Sequence, residues 1–176
     1  LVDQSGSMGV PYGGYRNIGD INVDSQATLG EVAALYGAAL AKRSKDVDLV
    51  MFGSSHHLAT DVKDSSILDS VRNHGSASLG GTNTWTALNE SFQNHDRVII
   101  LSDGQSNDRG SLPKGVPVHF FDLTGHSFSF ANDNSPNYYA YGGLSDLSFR
   151  LFAIMEGASN ASDELLTQER SKDEAS

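Results

Sequence analysis

Short apolar runs alternate along the chain with segments in which apolar residues recur every three or four positions. The runs at 47–52, 98–101 and 116–123 have the length and the β-branched and aromatic content of buried strands. A weaker run at 57–60 follows a Gly-Ser turn and is typical of an antiparallel edge strand. Helical spacing predicts helices at 24–43, 64–73, 84–93 and 144–155, the first capped by Asp24 or Ser25.

This alternation of strands and helices predicts the fold class. Consecutive parallel strands need a crossover connection, and helices in those connections cover both faces of the sheet. We therefore expect an α/β protein, with a doubly wound, mostly parallel sheet and helices on both faces, as in Rossmann-like folds.

Several segments lack this periodicity. Residues 9–23 are rich in Gly, Tyr and Asn and predict a loop, in which Tyr12 and Tyr15 are candidate partner contacts. Residues 125–140 predict an aromatic, Asn- and Ser-rich loop. We expect one domain over 1–157 and an acidic, mobile tail over 158–176. A buried strand normally has about five residues, so we also expect that most of the first strand is missing and that the chain is part of a longer protein.

Polar side chains follow two of the apolar segments and one glycine turn. Asp3, Ser5 and Ser7 come directly after Leu-Val, Thr82 follows Gly-Gly, and Asp103 ends the run at 98–101. In open α/β sheets, ligands bind at the carboxyl ends of the strands, so these oxygen atoms should converge. Carboxylate and hydroxyl oxygens suit Mg²⁺ or Mn²⁺. Because the hydroxyls carry no charge, the metal would remain a good acceptor for a carboxylate or phosphate from a partner.

The pattern Asp-x-Ser-x-Ser, with a distant Gly-Gly-Thr and a distant Ser-Asp-Gly, resembles the metal-ion-dependent adhesion site of von Willebrand factor A domains. The order and spacing match over most of the chain. This resemblance implies that Ser5, Ser7 and Thr82 contact the metal directly. It also implies that Asp3 and Asp103 contact the metal directly or through water, and that the domain is a binding module and not an enzyme.

A second resemblance involves residues 142–156, with Gly-Gly-Leu-Ser-Asp followed by Phe149, Arg150, Leu151 and Met-Glu, and residues 95–99, His-Asp-Arg-Val-Ile. These segments are similar to the carboxyl-terminal A domain of bacterial Ro-type (TROVE) RNA-binding proteins. The resemblance implies a parent protein that binds small noncoding Y-type RNA, although nothing in this chain corresponds to the ring of helical repeats of that family.

Composition limits how the chain could contact RNA. Its formal net charge is −10, and Lys42, Arg43 and Lys45 form its basic cluster. Nucleic-acid binding usually needs a basic stripe that neutralises phosphates. We therefore expect most RNA contact to lie elsewhere in the parent protein. The sequence contains no cysteine, no basic start before an apolar stretch and no apolar run of about 18 residues, and we expect a cytoplasmic protein with no membrane partner.

Other interpretations of the polar residues remain open. A metal-dependent protein–protein module of a larger assembly unrelated to RNA would need the same site. A hydrolase triad of a serine, a histidine and Asp103 lacks a Gly-x-Ser-x-Gly elbow. The histidines lack the close spacing of a zinc helix and favour surface or hydrogen-bonded roles. Asp122 could approach the metal site, but its position favours capping of the turn at Thr124. Trp85 is either a partner anchor or a core residue.

Overall fold

Residues 1–12, 27–125, 131 and 135–144 are described by the computed structural model. In this part of the chain the strands are β1 (Val2–Asp3), β2 (Val50–Phe52), β3 (His56–Leu58), β4 (Val98–Ser102), β5 (Val118–Asp122) and β6 (Tyr138–Gly142). The helices are a short 3-10 helix (Gly6–Gly9), α1 (Leu29–Arg43), α2 (Ile67–His74) and α3 (Thr84–Ser91).

The strands form one six-stranded sheet in the order β3-β2-β1-β4-β5-β6. Only β3, at one edge, pairs antiparallel among these strands; the other pairs are parallel. The strand order changes direction between β1 and β4, which are neighbours in the sheet. The predicted doubly wound α/β fold is confirmed, as is the antiparallel edge strand.

Helix α1 lies against β1 on one face of the sheet. Gly37 makes this close packing possible, since a Cβ atom at that position would lie 2.6 Å from Val2 Cγ2. The helix begins four residues later than the predicted capping region because Thr28 forms a capping box with Glu31. The N–H of Glu31 donates to Thr28 Oγ1, and Glu31 Oε2 accepts from the N–H of Thr28. The alternative caps Asp24 and Ser25 lie outside the described residues.

The opposite face of the sheet carries a hydrophobic cluster beneath α3. Apolar side chains from β2, β4 and β5 pack there against Trp85 and Leu88, and all of them are buried. Alternation along each strand explains this arrangement, because every second residue faces the same side. These contacts fix the position of α3 on the sheet, and with it the position of the loop that precedes α3.

One predicted loop contains a strand. Residues 125–140 were expected to be irregular, but β6 begins at Tyr138 and pairs with β5 in parallel register. The aromatic residues that suggested a folded loop are also strong strand formers, and strand pairing with β5 decides the outcome. The turn before β6 contains Asn137 at a positive φ of 62°.

One compact unit spans Leu1–Gly143. The predicted domain end at 157, the helix at 144–155 and the tail at 158–176 fall outside the described residues. No helix in the described part of the chain is long and apolar enough to cross a membrane.

Candidate metal centre

The candidate ligands lie where the strand order reverses. Asp3 is the last residue of β1, and Asp103 directly follows β4, its neighbour in the sheet. Such a switch point leaves a crevice outside the carboxyl ends of the strands, because the two connecting segments leave in opposite directions. Both carboxylates are buried, with exposed fractions of 0% for Asp3 and 4% for Asp103.

Asp3 is held by two hydrogen bonds, one to each carboxylate oxygen. The N–H of Ser5 donates to Oδ1 at 2.8 Å, and the hydroxyl of Ser102 donates to Oδ2 at 2.6 Å. Ser102 Oγ in turn accepts from the N–H of Gly104 at 3.2 Å. The carboxylate is therefore fixed in orientation. Ser102 was not among the predicted site residues, although its place at the strand end beside Asp103 was a usable signal.

Burial dominates the electrostatics of Asp3. Removal from water raises the pKa of this carboxyl to about 6, against the opposing effect of the hydrogen bonds from Ser102 and Ser5; the negative charge of Asp103 adds to the increase. Two buried carboxylates that repel each other create a local demand for positive charge. A divalent cation would meet this demand better than protons at neutral pH.

Ser5 and Ser7 place two hydroxyl oxygens side by side. Their Oγ atoms are 3.1 Å apart and share a hydrogen bond in which either hydroxyl can donate. Two adjacent ligands on an octahedral Mg²⁺ ion, each about 2.0–2.1 Å from the metal, are about 2.9 Å apart. The hydroxyl pair thus has nearly the separation that a shared magnesium ion requires, and the carboxylates beside it match the donor preference of that ion.

Thr82 is brought to the site by backbone hydrogen bonds between three loops. The N–H of Gly6 donates to the carbonyl of Gly80 at 2.7 Å, which joins the first loop to the glycine turn. Gly80 has a φ of 76°, a conformation that favours glycine. The N–H of Asn107 donates to the carbonyl of Thr82 at 2.7 Å, which joins the same turn to the loop after β4. Thr82 is buried, with 4% exposure.

Asp108 is a second residue that sequence reasoning missed. Its carboxylate accepts from the N–H groups of Trp85 and Thr86, at 3.1 and 2.7 Å, and so caps α3 from a distant loop. Ser106 Oγ donates to the same carboxylate at 2.8 Å. Burial raises the pKa of Asp108, but these hydrogen bonds outweigh burial, and the pKa lies below its ordinary value. An acidic residue five positions after Asp103 carried no local signal of this role.

The candidate partner contacts Trp85 and Tyr12 differ in how deeply they are buried. Trp85 is 7% exposed and belongs to a core cluster, which favours the core role over the partner anchor that the sequence left open. Gly110 packs directly against its ring, where a Cβ atom would lie 2.9 Å from Trp85 Cε3. Tyr12 is half-buried, and its N–H donates to the carbonyl of Ala27 at 2.8 Å. Tyr15 lies outside the described residues.

Asp122 has the turn-capping role that the sequence favoured. Its Oδ1 accepts from the N–H of Thr124 at 2.8 Å and from the Thr124 hydroxyl at 2.5 Å. Three of the described histidines make hydrogen bonds away from the Ser5–Ser7 loop: His74 to Asp61, His95 to Asp48 and His119 to Tyr141. Within the described ranges, no three His, Asp or Glu side chains are grouped to hold a metal. The candidate centre is of another kind, since hydroxyls supply most of its donors.

A cleft of about 540 Å³ lies at the amino ends of the central strands. Leu1, Leu49, Val98 and Ile99 line it. It is at the opposite end of the sheet from the candidate ligands, and its lining also includes the carboxylate residues Asp46, Asp48 and Asp96. The candidate ligands Asp3 and Asp103 lie instead at the carboxyl ends of β1 and β4.

No protein-family model and no curated protein matches this sequence. Among solved structures, the fold is similar to that of the Ro (RSR) protein of Deinococcus radiodurans, with a TM-score of 0.57 and 15% sequence identity over 82% of this chain. The chain spans only 30% of the length of that protein. At this identity the likeness establishes a shared fold and leaves the shared function a matter for proposal.

Proposed function

We propose that this chain is a divalent-metal-dependent ligand-binding module that holds Mg²⁺ or Mn²⁺ through Asp3, Ser5, Ser7, Thr82 and Asp103. The observation that carries this proposal is the Ser5–Ser7 oxygen pair, 3.1 Å apart beside two buried carboxylates. The bound metal would supply positive charge at the rim of the sheet. It would draw in a carboxylate or phosphate, because the neutral hydroxyls leave much of its charge uncompensated.

The chain's own residues would orient the ligands and hold them at a fixed spacing. Asp3, oriented by Ser5 and Ser102, neutralises part of the ion's charge. The loop contacts of Gly6 with Gly80 and of Thr82 with Asn107 hold the ligands at a fixed spacing. A histidine base beside a serine would be needed to activate that serine, whereas His74 and His95 hydrogen-bond Asp61 and Asp48. These features favour binding over hydrolysis, and a metal-dependent hydrolase ranks last.

We further propose that the parent protein is a Ro-type RNA-binding protein, and that small noncoding Y-type RNA is its partner. The fold shared with the Deinococcus Ro (RSR) protein supports this, together with the resemblance of segments 95–99 and 142–156. A net charge of −10 argues that this domain contributes a metal-mediated contact, while the main phosphate contacts lie elsewhere in the parent. A cytoplasmic location fits this role.

The test is a titration of Mn²⁺ into the domain, with free Mn²⁺ followed by electron paramagnetic resonance and then displaced by Mg²⁺. We expect saturable binding at one site, tightened by acetate as a model carboxylate. Thr82→Val and Asp103→Asn, which preserve shape, should each weaken binding by about tenfold or more. Asp3→Ala should abolish it while leaving the circular dichroism spectrum unchanged.

Ser76→Ala is the matched control. Ser76 and Ser78 form a similar hydroxyl pair, 2.8 Å apart and also two residues apart, but without buried carboxylates. Its replacement should leave Mn²⁺ affinity unchanged. Equal affinity in wild type and Asp103→Asn would refute the ligand assignment.

The second candidate function is a metal-dependent protein–protein module in an assembly unrelated to RNA. It uses the same centre, with an acidic side chain of a protein as the incoming group. Purification of the full-length parent separates the two candidates: Mg²⁺-dependent recovery of a protein partner in material free of RNA favours the second.

A further inference from the structure

A small polar cavity of about 60 Å³ lies behind the loop that carries Asp3 and Ser5. Its walls include the rings of His57 and His74, together with Gln4 and Ser76. His57 comes from the edge strand β3, and His74 is the last residue of α2. The fold therefore brings together two imidazoles that are far apart in sequence. Sequence spacing could not reveal this pair, because its members belong to different elements.

The two rings have a separation close to that of ligands on one metal ion. Their centroids are 6.0 Å apart, with an angle of 38° between the ring planes. Two imidazoles on a tetrahedral zinc ion, each with a Zn–N distance of about 2.0–2.1 Å, have centroids about 5 Å apart. A change of about 1 Å is within reach of side-chain adjustment, since His57 is exposed and its strand is at the sheet edge.

His74 has the carboxylate partner that a ligating histidine usually has. Its Nε2 lies 2.8 Å from Asp61 Oδ1, and Asn73 Nδ2 donates to the other oxygen of Asp61 at 3.2 Å. An ionised carboxylate only accepts hydrogen bonds, so Nε2 carries the proton. In the neutral ring, Nδ1 then keeps its lone pair. A carboxylate that orients a histidine in this way is the usual outer partner of a ligating imidazole.

We propose that His57 and His74 form a binding site for a divalent transition-metal ion, with Zn²⁺ as the ion of choice and Asp61 as the residue that orients His74. Imidazole nitrogen suits such borderline ions, whereas the hydroxyl and carboxylate donors of the Asp3 centre suit Mg²⁺. The protein supplies two ligands and water completes the shell. The described side chains include no group of three such ligands, so the protein would contribute only the two imidazoles. The site is independent of the proposed magnesium centre.

Binding at this site would connect the edge strand β3 to helix α2. An ion that binds the folded chain and not the unfolded one raises stability by mass action. Zinc should therefore raise the melting temperature of the domain in the presence of excess Mg²⁺. The same addition should do so much less in a variant that lacks either histidine.

The experiment uses untagged protein in excess Mg²⁺, with Zn²⁺ followed by calorimetry and thermal unfolding. Cu²⁺ serves as a spectroscopic probe, because electron paramagnetic resonance counts the coordinating imidazole nitrogens. We expect saturable Zn²⁺ binding and a two-nitrogen Cu²⁺ spectrum. His57→Ala and His74→Ala should each reduce Zn²⁺ affinity by about a hundredfold, and Asp61→Asn by about tenfold.

His95→Ala is the matched control, because His95 also hydrogen-bonds an aspartate, Asp48, at 2.9 Å, and its neighbouring ring is Phe92 instead of a second histidine. Its Zn²⁺ affinity should equal that of the wild type. His57 is exposed, so His57→Ala carries the test even if His74→Ala does not fold. Unchanged Zn²⁺ affinity in His57→Ala, an equal loss in His95→Ala, or no saturable binding to the wild type would each overturn the proposal.

Discussion

Asp3 combines burial, hydrogen bonding and charge repulsion in one side chain of the candidate centre. It is fully buried, both of its oxygens accept hydrogen bonds, and a second carboxylate lies close enough to repel it. A buried charge of this kind is costly without a counter-charge. Without a metal, the ionised Asp3 carboxylate should therefore destabilise the folded domain. This destabilisation should disappear when the carboxylate is protonated.

That dependence gives a prediction for the metal-free domain. The pKa of Asp3 is about 6 in the fold and about 3.9 in an unfolded chain. The folded state holds the proton more tightly, so the stabilising contribution is complete below about pH 4 and is lost as the pH rises through 6. We expect the free energy of unfolding to fall by on the order of 2–3 kcal/mol across this window.

Urea unfolding in the presence of a chelator, at several pH values across that window, measures this fall. Asp3→Asn should remove it, because the amide does not titrate. Asp64→Asn, at an exposed position in a turn, should retain it. The same pH slope in Asp3→Asn and in the wild type would show that another group is responsible.

At the level of elements, the geometry of the candidate centre depends on how the amino end of α3 is capped. The N-cap residue of α3, Asn83, makes no side-chain capping bond, and Asp108 takes over that role from the loop after β4. The same loop contacts the carbonyl of Thr82 through Asn107. The position of Thr82 therefore depends on a carboxylate more than twenty residues away.

Asp108→Ala should accordingly affect both stability and metal binding. Loss of the cap should cost about 1–2 kcal/mol, measured by chemical unfolding. Mn²⁺ affinity should fall because the Thr82 turn is no longer held. Ser106→Ala, which removes one hydrogen bond to Asp108 and leaves the cap in place, should have a smaller effect on both. A variant that lost stability but kept full Mn²⁺ affinity would separate the cap from the site.

The sequence predicted the elements whose signal is local and missed those that depend on pairing. The mostly parallel sheet and the antiparallel edge strand β3 follow from apolar runs and turn residues, and both were predicted. The strand β6 was expected to be a loop, because its aromatic residues follow a polar segment and its pairing with β5 cannot be read locally. Convergence of Asp3 and Asp103 was predictable from topology, whereas the His57–His74 pair and the Asp108 cap arise from tertiary contacts alone.

At the scale of the whole molecule, net charge limits how this domain could meet RNA. With a formal charge of −10, the chain repels a phosphate backbone unless a local positive charge intervenes. A metal at the Asp3 centre would supply such a charge at one point. Contact through one ion differs in kind from a basic stripe, because it neutralises about one phosphate and releases few counterions.

RNA binding by the isolated domain should therefore be weak, dependent on Mg²⁺ and only slightly dependent on salt. Fluorescence anisotropy of a labelled single-stranded RNA measures this. In a chelator we expect no saturable change at physiological ionic strength. In Mg²⁺ we expect weak binding with a logarithmic salt slope of about −0.7, which corresponds to a single phosphate contact on a single strand. Asp103→Asn should remove this binding, because it removes a proposed metal ligand. The variant is also less negatively charged, which by itself would favour RNA binding. A variant that bound RNA better than the wild type would show that net charge, and not the metal, governs the contact. Steep salt dependence in the chelator would reveal a multi-phosphate surface on the chain itself and would move the RNA contact away from the metal centre.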